Sequence, residues 1–166
     1  MKKASKVRFG YFFAFLLIVF LLGLAEYLEI YKGMIPCPLC MLQRMVLIML
    51  GVVFFIGMLF HMKKMGLFVI GLLSLLTTVG GILLSGRQVW LQHVPPSSLG
   101  ECGASLSYMF QTLPLMKVLN HVWIGGIECS QHGWTFMYLS LAEWSLIGFL
   151  VFFVFALVQL KRSLDT

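Results

Sequence analysis

Four apolar stretches, residues 9–28, 41–60, 66–85 and 144–160, leave this 166-residue chain few folds to choose from. An α-helix needs about 20 predominantly apolar residues to cross the roughly 30 Å hydrocarbon layer of a bilayer. The first three stretches meet that length, and the fourth meets it by taking a turn from the residues before Trp144. All are too long and too apolar for amphipathic helices lying on a membrane surface. Composition agrees: the chain is 60% hydrophobic and 11% charged, against about 45–50% and about 25% in soluble domains. The expectation is an all-α membrane protein, a bundle of four transmembrane helices forming one domain over residues 1–166. Two connections are short, at 29–40 and 61–65, and no repeat or low-complexity tail is present. Residues 86–143, with Pro95, Pro96, Ser97 and Ser98, make one long loop. Within it "LPLMKVLNHVW" sets Met116, Leu119 and Val122 or Trp123 at helical spacing, as in a short helix lying on the membrane surface.

With an even number of spans both termini share one side. That side carries Lys2, Lys3, Lys6, Arg8, Lys63, Lys64, Lys161 and Arg162, eight of the twelve basic residues. The other side keeps Lys32, Arg44, Arg87 and Lys117, with five of the six acids. Basic residues mark the cytoplasmic face, so both termini are expected there and Cys37, Cys40, Cys102 and Cys129 all fall outside. The net charge of +6 therefore reports topology, and no nucleic-acid partner is expected. Gly23-Leu24-Ala25 resembles a signal-peptide cleavage site, but the apolar run before it exceeds the usual core of about 7–15 residues. Glu26 and Glu29 read instead as a helix end, so the segment is expected to stay as a span. Trp90, Trp123, Trp134 and Trp144 lie in or beside the outer loop, where an interfacial aromatic belt would put them.

Thiols outside the cytoplasm meet an oxidising compartment. Four cysteines allow three pairings, and proximity favours Cys37 with Cys40, leaving Cys102 with Cys129. The second bridge would close a long loop and stabilise by roughly 3–4 kcal/mol. The first spans two residues and removes little chain entropy, which argues for a reversible pair. A structural zinc site could draw on His93, His121 or His132, but Cys102 and Cys129 do not supply the second close pair that such sites use. No metal is expected. Covalent haem is excluded because Met41, not histidine, follows Cys40.

The stretch "MIPCPLCMLQR" supports redox chemistry. Pro38 suits the first helical position, where its missing N–H costs nothing. Cys37 then sits at the cap and Cys40 in the first turn, where unpaired N–H groups and the helix dipole favour thiolate. Arg44 lies one turn after Cys40 on the same face, just inside the membrane boundary, where charges are expensive and usually functional. Its alternative role is to snorkel to the headgroups.

These residues resemble the DsbB family, bacterial inner-membrane quinone reductases that reoxidise the periplasmic dithiol oxidase DsbA. Nearly the whole chain takes part: four spans, "CPLCMLQR" opening the second, "GRQVWLQHVPP" after the third, "ECGASLSYM" around Cys102, "GGIECSQHGW" around Cys129, and "AEWSL" leading into the fourth. The resemblance implies that Cys37 and Cys40 are the quinone-coupled pair, with Cys40 facing the quinone. It implies that Cys102 forms the mixed disulfide with DsbA and that Cys129 is its partner. Arg44 matches the arginine that supports quinone reactivity. Arg87 and His93 fall in the matching stretch after the third span, with His93 a proton donor or a loop cap. The acceptor would be ubiquinone or menaquinone, and the partner a DsbA-like periplasmic thioredoxin-fold oxidase. DsbA lies near −120 mV, so its reoxidation needs a more positive acceptor than glutathione offers. A membrane quinone is such a sink, and it explains a reactive pair at the bilayer edge.

Vitamin K epoxide reductase-like proteins also couple quinones to disulfides, but their C-x-x-C lies at a later helix. A paralogue serving a dedicated partner would share every motif above. A stapled or metal-handling membrane subunit would leave Arg44 and the poor entropic return of Cys37–Cys40 without a reason.

Overall fold

The computed structural model of the protein describes residues 2–33, 37–59, 64–93, 111, 114–124 and 135–164. Its elements are α1 (Lys2–Lys32), α2 (Pro38–Leu59), α3 (Lys64–Gln92), α4 (Leu115–Ile124), a two-stranded antiparallel hairpin of β1 (Thr135–Phe136) and β2 (Leu139–Ser140), and α5 (Leu141–Leu164). Four of these helices hold apolar segments long enough to cross a membrane: Arg8–Tyr31, Pro38–Leu59, Met65–Gln92 and Leu141–Ser163. The protein is an all-α multi-pass membrane bundle, as its apolar stretches imply.

Each helix end has a local cause. α1 runs past Glu26 and Glu29 and stops at Gly33, whose φ of 60° is the left-handed conformation that glycine adopts freely at a helix C-terminus. Pro38 opens α2, and Met41 N donates to Cys37 O at 3.1 Å, so Cys37 is the cap residue. α3 continues to Gln92, beyond the drop in hydropathy at Gly86 and Arg87. Its 28-residue apolar segment is about 42 Å long at 1.5 Å per residue, longer than a hydrocarbon layer of about 30 Å. α5 begins at Leu141, three residues before Trp144, because Ser140 and Glu143 form a reciprocal cap. Ser140 N donates to Glu143 Oε2 at 2.6 Å and Glu143 N to Ser140 Oγ at 3.3 Å.

The central core joins all four long helices through Tyr11, Ile18, Leu50, Phe54, Ile70 and Phe152. α3 packs most extensively on α5, and Gly81 permits it: any Cβ at this position would run into the Phe149 ring. Such small residues let membrane helices approach closely. α1 and α2 form an antiparallel pair, and Arg8 Nε donates to Met58 O at 3.1 Å, placing the start of α1 beside the end of α2. At the opposite end a second cluster gathers Cys37, Leu39, Leu91 and Val118 of α4.

Candidate redox site

The cap of α2 positions two thiols. Cys37 Sγ accepts from Cys40 N at 3.4 Å and lies 3.0 Å from Cys40 Sγ, a thiol–sulfur hydrogen bond. Both cysteines are free thiols, about 1 Å further apart than a disulfide of about 2.05 Å. The sulfurs have different surroundings. Cys37 is 6% exposed and packs with Leu39, Leu91 and Val118, beneath α4. Cys40 instead lines a cavity of about 520 Å³ between α1, α2, α3 and α5. The cavity wall is built largely from leucine and phenylalanine, including Leu24, Leu47 and Phe149, with Gln43, Arg44, Gln88 and Ser145 as its polar members. An apolar space with a few convergent polar groups is the usual form of a site for a small organic ligand.

Three of those polar groups are connected. Gln88 Nε2 donates to Cys40 Sγ at 3.0 Å and to Cys37 Sγ at 3.5 Å. Gln88 Oε1 accepts from Gln43 Nε2 at 2.7 Å, and Gln43 Oε1 accepts from Ser145 Oγ at 2.9 Å. Gln43 and Gln88 are 7% and 5% exposed. One chain of hydrogen bonds thus runs from α5 through α2 and α3 to the sulfur pair.

Arg44 faces α1. Its Nη1 bridges Glu26 Oε1 at 3.0 Å and Glu29 Oε2 at 2.5 Å, while Nη2 reaches Ala25 O only at 3.5 Å. Glu26 and Glu29 are three residues apart, hence on one helix face. They hold the guanidinium at the cavity wall and offset its charge.

The family model described as Disulfide bond formation protein DsbB matches residues 7–159. The chain belongs to the DsbB family. Among relatives, disulfide bond formation protein B of Hahella chejuensis is 40% identical over 155 residues, covering 92% of this chain and 94% of the relative. The protein of the same name from Nitrosococcus oceani is 36% identical over 157 residues, covering 95% and 93%. Disulfide bond formation protein B 1 of Pseudomonas aeruginosa is 40% identical over 149 residues, covering 90% and 91%.

Of the site residues expected from sequence, Cys37, Cys40 and Arg44 come together around the start of α2. Arg87 does not line the cavity. Its Nε donates to Trp123 O at 3.0 Å, and its guanidinium carbon lies 4.3 Å from the Trp90 ring centroid and 5.7 Å from that of Trp123. It thereby ties the end of α4 to α3. His93 is exposed at the end of α3, with Nδ1 2.9 Å from Val89 O, and is also outside the cavity wall. Cys102 and Cys129, His132 and Trp134 lie outside the described residues. Gln43, Gln88 and Ser145 were not singled out from sequence, although Gln43 and Gln88 stand inside "CPLCMLQR" and "GRQVWLQHVPP". Glutamines within or beside membrane-spanning helices are the signal that would have found them.

Proposed function

We propose that the protein is a protein-dithiol:quinone oxidoreductase that reoxidises a DsbA-like periplasmic oxidase and so sustains disulfide formation. The observation that carries this reading is the division of the sulfur pair: Cys40 lines the apolar cavity and Cys37 lies beneath α4, within the segment that joins Cys102 to Cys129. Electrons enter from the loop side and leave on the cavity side.

In this scheme Cys102 is attacked by the partner's thiolate, and Cys129 leaves. The partner's second thiol then attacks the partner's own bridged sulfur, which closes the partner's disulfide and releases Cys102 as a thiol. The reduced loop pair passes its electrons to Cys37–Cys40 by thiolate attack through a mixed disulfide. Closing Cys37–Cys40 again releases two electrons and two protons. A bound quinone supplies the acceptor for both and leaves as quinol, so the overall exchange is partner dithiol plus quinone for partner disulfide plus quinol.

The cavity fits a quinone. Its leucine and phenylalanine walls suit an apolar ring and chain, and Arg44 and the amide groups suit the ring oxygens. Arg44 would orient such an oxygen, Gln88 would hold the Cys40 sulfur, and the walls would exclude water. Arg87 would set α4 over Cys37, and His93 would serve proton exchange at the outer end of α3. Both termini would be cytoplasmic and all four cysteines periplasmic.

The test is turnover by purified protein with a reduced thioredoxin-fold oxidase and a soluble quinone. Cys37→Ser and Cys40→Ser should each abolish partner oxidation while the protein still inserts in the membrane. Normal turnover by Cys40→Ser would end the proposal.

A further inference from the structure

We infer that Gln88 is a further catalytic residue, whose amide holds the Cys40 sulfur as a hydrogen-bonded anion during electron transfer, with Gln43 and Ser145 as its positioning residues. The inference deepens the quinone reading and rests on it for the destination of the electrons, though not for the state of the sulfur.

The Cys37 thiol and Gln88 Nε2 each reach Cys40 Sγ at 3.0 Å, and the Cys37 backbone adds a further hydrogen bond. Arg44, the nearby cation, has its Nη1 bound between two carboxylates of α1. Among the described residues that hydrogen-bond the sulfur, Gln88 is the one brought by another helix. A neutral donor suits this place, because it stabilises an anion at the membrane edge without adding a second costly charge.

The chain behind Gln88 fixes which end of the amide meets the sulfur. Gln43 Nε2 can only donate, so it selects Gln88 Oε1 and turns Gln88 Nε2 to the thiols. Gln43 is oriented in turn by Ser145, whose hydroxyl meets both Gln43 Oε1 at 2.9 Å and Ala142 O at 2.8 Å. If Ser145 gave its proton to Ala142 O, Gln43 Nε2 could donate to Ser145 Oγ, and both amides could invert. Gln88 would then present its oxygen to a neutral S–H. A thiolate accepts only and selects the observed polarity. Linked bonds of one polarity also strengthen one another. The chain can thus match either protonation state of Cys40 through a single hydroxyl rotation and two amide flips.

The test uses the full-length protein in detergent, reduced and free of quinone. The Cys40 thiolate is read by its ultraviolet absorbance at neutral pH, with Cys40→Ser subtracted, and turnover is then measured with a soluble quinone. Gln88→Met keeps the side-chain length and loses the donor. Its thiolate signal should fall about tenfold, and kcat should fall by a similar factor while the KM for quinone stays within about twofold. Ser145→Ala leaves Gln88 in place and removes the far anchor, so about a threefold fall is expected in both readouts. Should Gln88→Met fail to fold, the Ser145→Ala signal decides alone. An undiminished thiolate signal in whichever variants fold would overturn the role of Gln88. A lowered signal in a protein that reduces no quinone even as wild type would uphold that role and reject the quinone reading instead.

Discussion

Replacing Arg44 by lysine should raise the KM for quinone about threefold, and replacing it by alanine should raise it further, to about tenfold. The reasoning starts from the two ends of the guanidinium. Nη1 carries both Glu26 and Glu29, while Nη2 has only a 3.5 Å contact with Ala25 O. One side chain can therefore hold α1 and still donate to a ligand in the cavity. A hydrogen bond from a charged donor contributes about 1.5–3 kcal/mol, and each 1.4 kcal/mol is about tenfold in affinity. Arg44 is 21% exposed, so the lower end of that range applies. Lysine keeps a point charge for the glutamates but lacks the planar fork. Alanine loses the donor and leaves two like charges beside the cavity. The loss in fold stability should be only about 1 kcal/mol, since Glu26 and Glu29 are 61% and 30% exposed and keep access to water. Steady-state kinetics with a soluble quinone and saturating reduced partner would measure the effect, and exchange between the two cysteine pairs should change by less than about twofold. Wild-type KM values in both variants would refute the reasoning and return Arg44 to a membrane anchor.

In Cys129→Ser the Cys102 thiolate should attack the oxidised partner's disulfide, and the mixed disulfide should accumulate because no Cys129 thiol remains to displace the partner, as seen on non-reducing gels after acid trapping. Equal adducts in Cys102→Ser would show that the wrong sulfur has been assigned. Arg87→Ala should slow exchange between the cysteine pairs by up to about tenfold without raising the quinone KM, because it removes a charge-assisted bond to Trp123 O and a cation–π contact that hold α4. A raised KM with unchanged exchange would place Arg87 at the quinone. Gly81→Ala should destabilise the bundle by about 1–3 kcal/mol through overpacking against Phe149, and Phe149→Leu should recover part of that loss in thermal unfolding.

The spans were legible because apolar length is a property of each segment alone. The start of α2 was legible for a similar reason: Pro38 at the first helical position and Cys37 at the cap follow from local chemistry, and the observed bonds at Met41 N and Cys40 N conform to it. Helix ends were less so. Hydropathy falls at Gly86, yet backbone bonding carries α3 on to Gln92 and brings Gln88 to the sulfurs. The Ser140–Glu143 cap was readable as Ser-x-x-Glu and shifts the start of α5 to Leu141. The hairpin before it carries no glycine or asparagine, and Met137 and Tyr138 adopt φ of 52° and 67°, a conformation whose usual residue signals are absent. Gln43 and Gln88 could be picked out singly as polar residues in or beside spans, but their chain could not, because Gln43, Gln88 and Ser145 meet only when three helices pack. The same holds for the pairing of Arg44 with Glu26 and Glu29, which sequence suggested only as a helix end.

The most direct test of the central claim is thiol trapping of all four cysteines in membranes with quinone first withheld and then restored. With reduced partner present and no quinone, Cys37 and Cys40 should accumulate as thiols. On adding oxidised quinone they should close to a disulfide, with Cys102 and Cys129 following. A Cys37–Cys40 pair whose state ignores the supply of quinone would contradict the account.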